Sequence, residues 1–239
     1  MRAVHGSVAD VIPFSWVDGP GNRFVLFLQG CNLNCLACHN PHTIPLETPR
    51  ARSESVEDVL SQIRDAMPYI SGVTVSGGEA TLQHDFIFEL FSALKSSPEF
   101  HHLTTLIDTN GHAARTVWDQ LAPVTDGFMV DLKALDDHTH EYLTAISNAR
   151  VLESIQYLNS IGKLHEVRLL LVPGINDSDE VLLRTGEWIK ALNPDLRIRI
   201  NLFNNHGVRA SAREWKSATQ EDRARYQRVL AERGLVNVS

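Results

Sequence analysis

Cys31, Cys35 and Cys38 are all the thiols in a chain of 239 residues. They sit together in the run LFLQGCNLNCLACHNP, from Leu26 to Pro41. Three thiols cannot all pair, and neighbours this close would close strained rings if two of them did. Clustered thiols in a reducing compartment point to metal or redox chemistry rather than to a disulfide framework. Thiolates hold iron–sulfur clusters, and a cubane with a full set of protein ligands uses four. Three leave one iron open, as a catalytic zinc site leaves a position for substrate. A zinc site made of the three cysteines and His39 is the alternative.

Other polar residues fall at the ends of predicted strands. Gly77 and Gly78 of SGGE let backbone come close to a ligand, and Glu79 follows them. Asp108 and Asp131 end neighbouring predicted strands. Without a counter-charge in a half-buried rim they would repel, and one pKa would rise. Lys133 is placed to neutralise one of them. Arg168, alone in its strand, suits a salt bridge. Asp18, Gly19, Pro20 and Gly21 read locally as a turn, because Gly-Pro-Gly continues neither helix nor sheet.

The elements that must carry these residues follow from periodicity. Residues 23–29, 72–77, 103–109, 127–133, 166–174 and 196–203 are short runs rich in Val, Ile, Leu, Thr and Phe, mostly bounded by turn residues, and read as strands. Helical patterns fill the gaps. In SVEDVLSQIRDAM, Val56, Val59, Leu60, Ile63 and Met67 share one face, with Ser55 and Asp58 at the start. Further helices are read at 84–97, 114–122, 138–146 with 151–162, 178–192, and from Thr219 to Gly234. Trp118, Trp188 and Tyr157 fit helix cores. His5, His84, His101, His102, His112, His138, His140 and His165 read as surface or loop residues.

Six strands, each followed by a helix, imply a parallel sheet with right-handed crossovers. The count falls short of the eight of a full TIM barrel. The expected fold is α/β, a partial (βα)6 TIM-like barrel over one domain, 1–239. In such folds chemistry gathers at the C-terminal ends of the strands, where these polar residues lie.

Composition narrows the class. Hydrophobic residues make up 43% and charged residues 21%, as in a soluble globular protein. A net charge of −7 argues against nucleic-acid binding, which usually needs a basic face. No run approaches the ~20 apolar residues of a membrane span. The start, MRAVHGSVADVIPF, lacks the apolar core of a signal peptide. A cytoplasmic protein is expected.

The C-x3-C-x2-C spacing after a first strand, together with SGGEA (76–80), resembles the radical SAM superfamily. Five stretches, in order, resemble the glycyl radical enzyme activating enzymes, the pyruvate formate-lyase activase family. They are VDGPGNRFVLFLQGCNLNCLACHNP (17–41), TVSGGEATLQ (74–83), LIDTNG (106–111), VDLKAL (130–135) and RLLLVPGIND (168–177). The wording is closest to YjjW-type activases. Many relatives carry a ferredoxin-like insert with two more clusters after CHNP. Here HTIPLETPRARSES (42–55) holds no cysteine and joins the motif to the first helix.

That resemblance implies one [4Fe–4S] cluster on Cys31, Cys35 and Cys38. Its open iron would chelate S-adenosylmethionine (SAM), and an electron from the cluster would cleave the sulfonium to methionine and a 5′-deoxyadenosyl radical. Ala37 stands where the family has an aromatic that packs on adenine, so that contact is reduced. His39 matches a family histidine and could equally cap the loop. Gly77, Gly78 and Glu79 match the SAM amino-group site. Leu132 and Lys133 match residues at SAM, with Lys133 on its carboxylate. Asp108, Asp131, Thr109 and a carbonyl near Met129 match a site for Na+ or K+. Arg168 matches a residue near SAM. The family histidine that touches SAM falls on Asn204, with His206 two residues on, and either could serve. Asp18, Gly19, Pro20 and Gly21 match the loop that helps hold the substrate peptide. The implied partners are a glycyl radical enzyme and a flavodoxin- or ferredoxin-type electron donor, with no nucleic acid and no membrane. Two alternatives stand beside this reading. One is a small radical SAM enzyme acting on a small molecule, of the carboxy-deazaguanine synthase type. The other is a non-enzymatic metal-binding module.

Overall fold

The first of the predicted strands, RFVLFL, forms as β2 and is flanked in the sheet by a strand that the sequence hides. The computed structural model describes residues 4–239. The first three residues of the stretch judged to lack a signal peptide lie outside it. In chain order the elements are β1 (His5–Ser15), β2 (Arg23–Leu28), β3 (Arg52–Ser55), α1 (Val56–Ala66), β4 (Gly72–Gly77), α2 (His84–Ser96), β5 (Thr104–Thr109), α3 (Arg115–Leu121), β6 (Gly127–Leu132), α4 (Asp137–Thr144), α5 (Ala149–Ser160), β7 (Leu164–Leu171), α6 (Asp179–Leu192), β8 (Ile198–Leu202) and α7 (Gln220–Ala231). They build an α/β fold on one eight-stranded sheet, in the order β3-β1-β2-β4-β5-β6-β7-β8. β2, β4 and β5 pair in parallel, as do β7 and β8. β1 runs antiparallel to both β2 and β3.

The six expected strands are β2 and β4 to β8, and the alternation of strand and helix stands. β1 and β3 were not expected. β1 carries Gly6 and Pro13, and its register with β2 slips twice. Its apolar residues therefore keep no period of two. β3 is RSES, with no apolar residue to mark it. No helix among the described residues is long and apolar enough to cross a membrane.

The chain divides into two compact units. The first holds the chain up to Asn32, His42–Thr109 and Ala113–Phe128. Val25, Leu26, Leu28, Val73, Val75 and Ile107 are buried along β2, β4 and β5. Such continuous apolar runs mark strands covered on both faces. α1 starts where it does because Ser55 accepts from the Asp58 amide while Asp58 accepts from the Ser55 amide. That capping box satisfies two of the donors that a helix start leaves open. α1 then buries Val59 and Ile63, and α2 buries Ile87, Leu90, Phe91 and Leu94.

The second unit holds Leu33–Pro41, Asn110–His112 and Met129–Ser239. Val130, Val167, Leu169, Ile198 and Ile200 form its sheet core. Thr219 and Asp222 cap α7 as Ser55 and Asp58 cap α1. Asp177, after β7, takes bonds from Arg225 (2.6 Å) and Tyr226 (2.9 Å) of α7 and so ties that helix to the strand's end.

His140 corrects one expectation. It is not a surface residue but fully buried in α4. Its Nδ1 donates to the Ile146 carbonyl at 2.9 Å. Burial holds its pKa below the ordinary 6.5; the Ile146 carbonyl and Asp137 oppose this, and Lys133 and His112 add to it. The folded chain thus binds this proton less readily than the unfolded chain. Its contribution is complete above about pH 6.5 and is lost as pH falls from there toward the folded pKa. Urea unfolding at pH 7.5 and pH 5.5 should show that loss, and His140→Gln should shrink it. An equal loss in both proteins would show that the acid sensitivity lies elsewhere.

Candidate functional site

In the first unit, the ends of β2 and β4 approach so closely that only glycine fits between them. Gly78 N donates to Leu28 O at 3.0 Å, and Glu79 N donates to Gly30 O at 2.7 Å. Gly77 has φ of +131°, and a Cβ there would overlap the Leu28 backbone. A Cβ on Gly78 would overlap the Gly30 carbonyl. The glycine pair therefore packs two strand ends, whatever else it approaches. Cys31 follows this crossing. Its amide donates to Ile44 O at 3.1 Å, and Gly30 N donates to Thr43 O at 2.9 Å. Gln29 braces the same loop from inside, donating to the carbonyls of His42 (3.1 Å) and Pro45 (2.6 Å).

Glu79 is 1% exposed. Its carboxylate accepts from Thr81 N (3.0 Å), Thr81 Oγ1 (2.6 Å) and Thr109 Oγ1 (2.6 Å). Ser76 Oγ donates to Asp108 Oδ2 at 3.0 Å. The last residues of β4 and β5 thus share one polar network. Asp18–Gly21 lie elsewhere. They precede β2 whereas Cys31 follows it, so the two sit at opposite ends of that strand. Asp18 accepts from Ser15 Oγ, and its carbonyl accepts from Thr74 Oγ1 at 2.7 Å.

In the second unit, Cys35 and Cys38 lie on a loop held by backbone. Asn34 N donates to Thr144 O (3.3 Å) and Leu36 N to Leu143 O (2.9 Å), at the end of α4. Burial pushes both thiols up. Lys133 opposes this at both, and the Asn40 backbone and Arg209 oppose it at Cys38. A bound metal takes the thiolate and reverses this preference. Ala37 is 4% exposed and packs with Val172, Phe203, Val208 and Ala212. The position of the expected aromatic is thus filled by an alanine inside a small apolar core. His39 Nε2 donates to Asn204 O at 2.7 Å, which joins the loop to the residue after Phe203.

Lys133 Nζ lies 2.6 Å from Asp131 Oδ2, so in the second unit the lysine neutralises this carboxylate. Leu132 and Met129 are buried in β6. Arg168 is 5% exposed; it bonds Glu166 Oε1 at 2.8 Å and Met129 Sδ at 2.9 Å. Asn204 and His206 are exposed, and Asn204 Oδ1 accepts from His206 N at 2.9 Å. His206, Arg209 and Arg213 line an open cleft of about 750 Å³ with Pro41 and Asn205. The sequence offered no sign of Arg209. Its Nη1 donates to Asn34 O (3.0 Å), Asn34 Oδ1 (2.5 Å) and Cys35 O (3.3 Å).

The expected rim residues thus stand at or after the C-terminal end of their own strands, except Arg168, inside β7, Met129, inside β6, and Asp18–Gly21. Among the described residues no three His, Cys, Asp or Glu side chains are grouped around a single ion position. The donor chemistry suits a cluster nonetheless. None of the three thiols is in a disulfide, and a cubane spreads its thiolates over separate irons.

Comparison with known proteins agrees with this chemistry. Residues 25–185 match the model of the radical SAM superfamily. A pyruvate formate-lyase-activating enzyme of Streptococcus mutans is 38% identical over 209 residues, covering 85% of this chain and 80% of that protein. A putative glycyl-radical enzyme activating enzyme of Haemophilus influenzae is 34% identical over 228 residues, covering 84% and 83%. Among solved structures, a radical SAM methyltransferase from Sphaerobacter thermophilus superposes with a TM-score of 0.70 at 18% identity, over 91% of this chain and 65% of that one. At that identity it speaks for the fold alone.

Proposed function

Because the chain belongs to the radical SAM superfamily, among the activating enzymes of glycyl radical enzymes, we propose that it removes a hydrogen atom from a glycine Cα of a partner enzyme. The observation that carries the reading is the thiol inventory. All three cysteines, none of them in a disulfide, stand in a C-x3-C-x2-C motif that opens just after β2. The chain works, on this reading, as one radical SAM domain over 1–239.

Cys31, Cys35 and Cys38 would hold one [4Fe–4S] cluster. With SAM bound, that cluster supplies a 5′-deoxyadenosyl radical. The remaining roles belong to the chain's own groups. Gly77, Gly78 and Glu79 offer close backbone and a buried carboxylate to the SAM amino group. Lys133, with Leu132 beside it, offers its ammonium to the SAM carboxylate, which requires it to leave or share Asp131. Arg168 supports this side from within β7. Ala37, His39 and either Asn204 or His206 border the adenosine. Asp108, Thr109, Asp131 and the Met129 carbonyl take Na+ or K+, which offsets the repulsion of two carboxylates. Asp18–Gly21 hold the substrate peptide as it enters from the far end of β2. The electron comes from a flavodoxin or ferredoxin type of donor in the cytoplasm.

The test is direct. Reconstituted protein, reductant and SAM are incubated with glycyl radical enzymes of the same genome, one carrying α-deuterated glycine. A doublet electron paramagnetic resonance signal and deuterium in 5′-deoxyadenosine are expected. If a small molecule gives deuterium transfer and no glycyl radical enzyme does, the reading fails.

The cation assignment has its own outcome. SAM cleavage should differ at least severalfold between sodium, potassium and cation-depleted buffers. Equal rates in all three would leave Lys133 as the sole neutraliser of Asp131.

A further inference from the structure

The loop that carries Cys35 and Cys38 is seated on a segment of which the proposed chemistry uses only Asn204 or His206. Residues 33–41 meet residues 203–215 in three ways. Ala37 packs against Phe203, Val208 and Ala212. His39 donates to Asn204 O. Arg209 donates from one nitrogen to Asn34 O, Asn34 Oδ1 and Cys35 O. The third contact differs in kind from the other two. It spends a permanent cation on main-chain carbonyls, one of them the carbonyl of a cluster ligand. Several other arginines face carboxylates at short range, as Arg64 faces Glu99 and Arg168 faces Glu166, whereas Arg23 is also held by carbonyls and hydroxyls. Among the described residues Arg209 forms no ion pair, so its charge is not cancelled locally.

We propose that Arg209 is a positioning residue for the cysteine loop: it pins the Asn34 and Cys35 peptides and sets an unneutralised positive charge beside the cluster ligands. The first half concerns the chain alone. The second rests on the cluster reading above. Hydrogen bonds to a charged donor are stronger than neutral ones, so the clamp should resist opening of the loop. A nearby cation favours the state of a cluster that carries one more electron, since hydrogen bonds and net charge set such potentials. The residue would thus both fix the geometry of Cys35 and ease reduction.

Two variants separate these effects. Arg209→Gln removes the charge and the Nη1 donor, while Arg209→Lys keeps the charge on a shorter side chain whose ammonium stops short of the Nη1 position. In cluster-free protein, backbone hydrogen exchange over 33–41 should quicken roughly tenfold in both. In reconstituted protein poised at a fixed potential, the ratio of reduced to oxidised cluster, read by electron paramagnetic resonance, should fall about threefold or more in Gln. Lys should restore that ratio without restoring the exchange rate. Asn34→Ala, which removes one acceptor and no charge, should quicken exchange and leave the ratio unchanged. Exchange unchanged in Arg209→Gln overturns the clamp, and an unchanged ratio overturns the charge. A chain that binds no cluster in its native form would instead sink the activase reading, and the exchange experiment would still decide the clamp.

Discussion

Cys35→Ala should yield a folded protein that holds no cubane and cleaves no SAM above background. Native protein, reconstituted without oxygen, should carry about four irons per chain and no more, since no further thiol exists for a second cluster. The loss should be all or none because three thiolates are the whole protein ligand set, and a cluster with two is not retained. The fold should survive because the thiols do not hold the loops. Cys35 is carried by the Asn34 and Leu36 amides on α4 and by Arg209 on its own carbonyl, none of which involves sulfur. Cys31 is likewise held through its amide on Ile44 O. Iron content, the visible spectrum, 5′-deoxyadenosine release and far-ultraviolet circular dichroism check this together. Cys31→Ala and Cys38→Ala should behave alike. A variant that keeps its cluster and its cleavage would show a fourth protein ligand and undo the open-iron argument. Reproducible loading near twelve irons would undo the single-cluster argument.

What could be read from the sequence depended on whether a residue announces its partner. The six expected strands did, because burial on both faces demands continuous apolar runs such as RFVLFL and GVTVSG. β3 did not. RSES pairs with the start of β1 through backbone alone, and backbone pairing leaves no trace in side chains. The rim was legible because three thiols crowded into one short segment suit metal binding and little else. Gly77 and Gly78 were legible as a close approach but not for its object, which is the backbone of Leu28 and Gly30. Arg209 was silent because its acceptors lie 175 and 174 positions away and are mostly carbonyls, which every residue has. His140 was misread for a related reason. A buried histidine whose Nδ1 meets a local carbonyl looks, letter by letter, like an exposed one. Lys133 was read with two options, and the second unit contains the pair with Asp131.

Arg23 obeys the same logic and carries the second large prediction. It opens β2 and is fully buried. Its Nε donates to Thr74 Oγ1 at 2.8 Å, its Nη1 to Thr104 Oγ1 at 2.7 Å, and its Nη2 to Val73 O at 2.6 Å and Thr104 O at 3.0 Å. A longer bond, 3.4 Å, reaches Pro20 O in the turn before the strand. One guanidinium therefore ties the starts of β2, β4 and β5 to the Asp18–Gly21 turn. Burial pushes its pKa down to about 10, with Asp126 opposing, so it remains charged at neutral pH. The charge costs desolvation, and the hydrogen bonds offset it only while all are made. Arg23→Met keeps much of the volume but leaves two carbonyls and two hydroxyls facing an apolar chain. Each buried acceptor left without a donor costs about 1–3 kcal/mol. We expect a loss of roughly 3–5 kcal/mol by urea unfolding, a large share of the stability of an ordinary domain. Arg23→Lys should recover only part of it, because a single ammonium cannot span the same fork of acceptors. Raising the temperature of SAM-binding measurements should then expose a second effect. If the Asp18–Gly21 turn holds the substrate peptide as proposed, then without the Arg23 bond to Pro20 O it should lose affinity for a glycine-loop peptide before the chain loses SAM. If Arg23→Met unfolds within about 1 kcal/mol of the native chain, the strands have closed over the gap and the guanidinium is not what holds this end of the sheet.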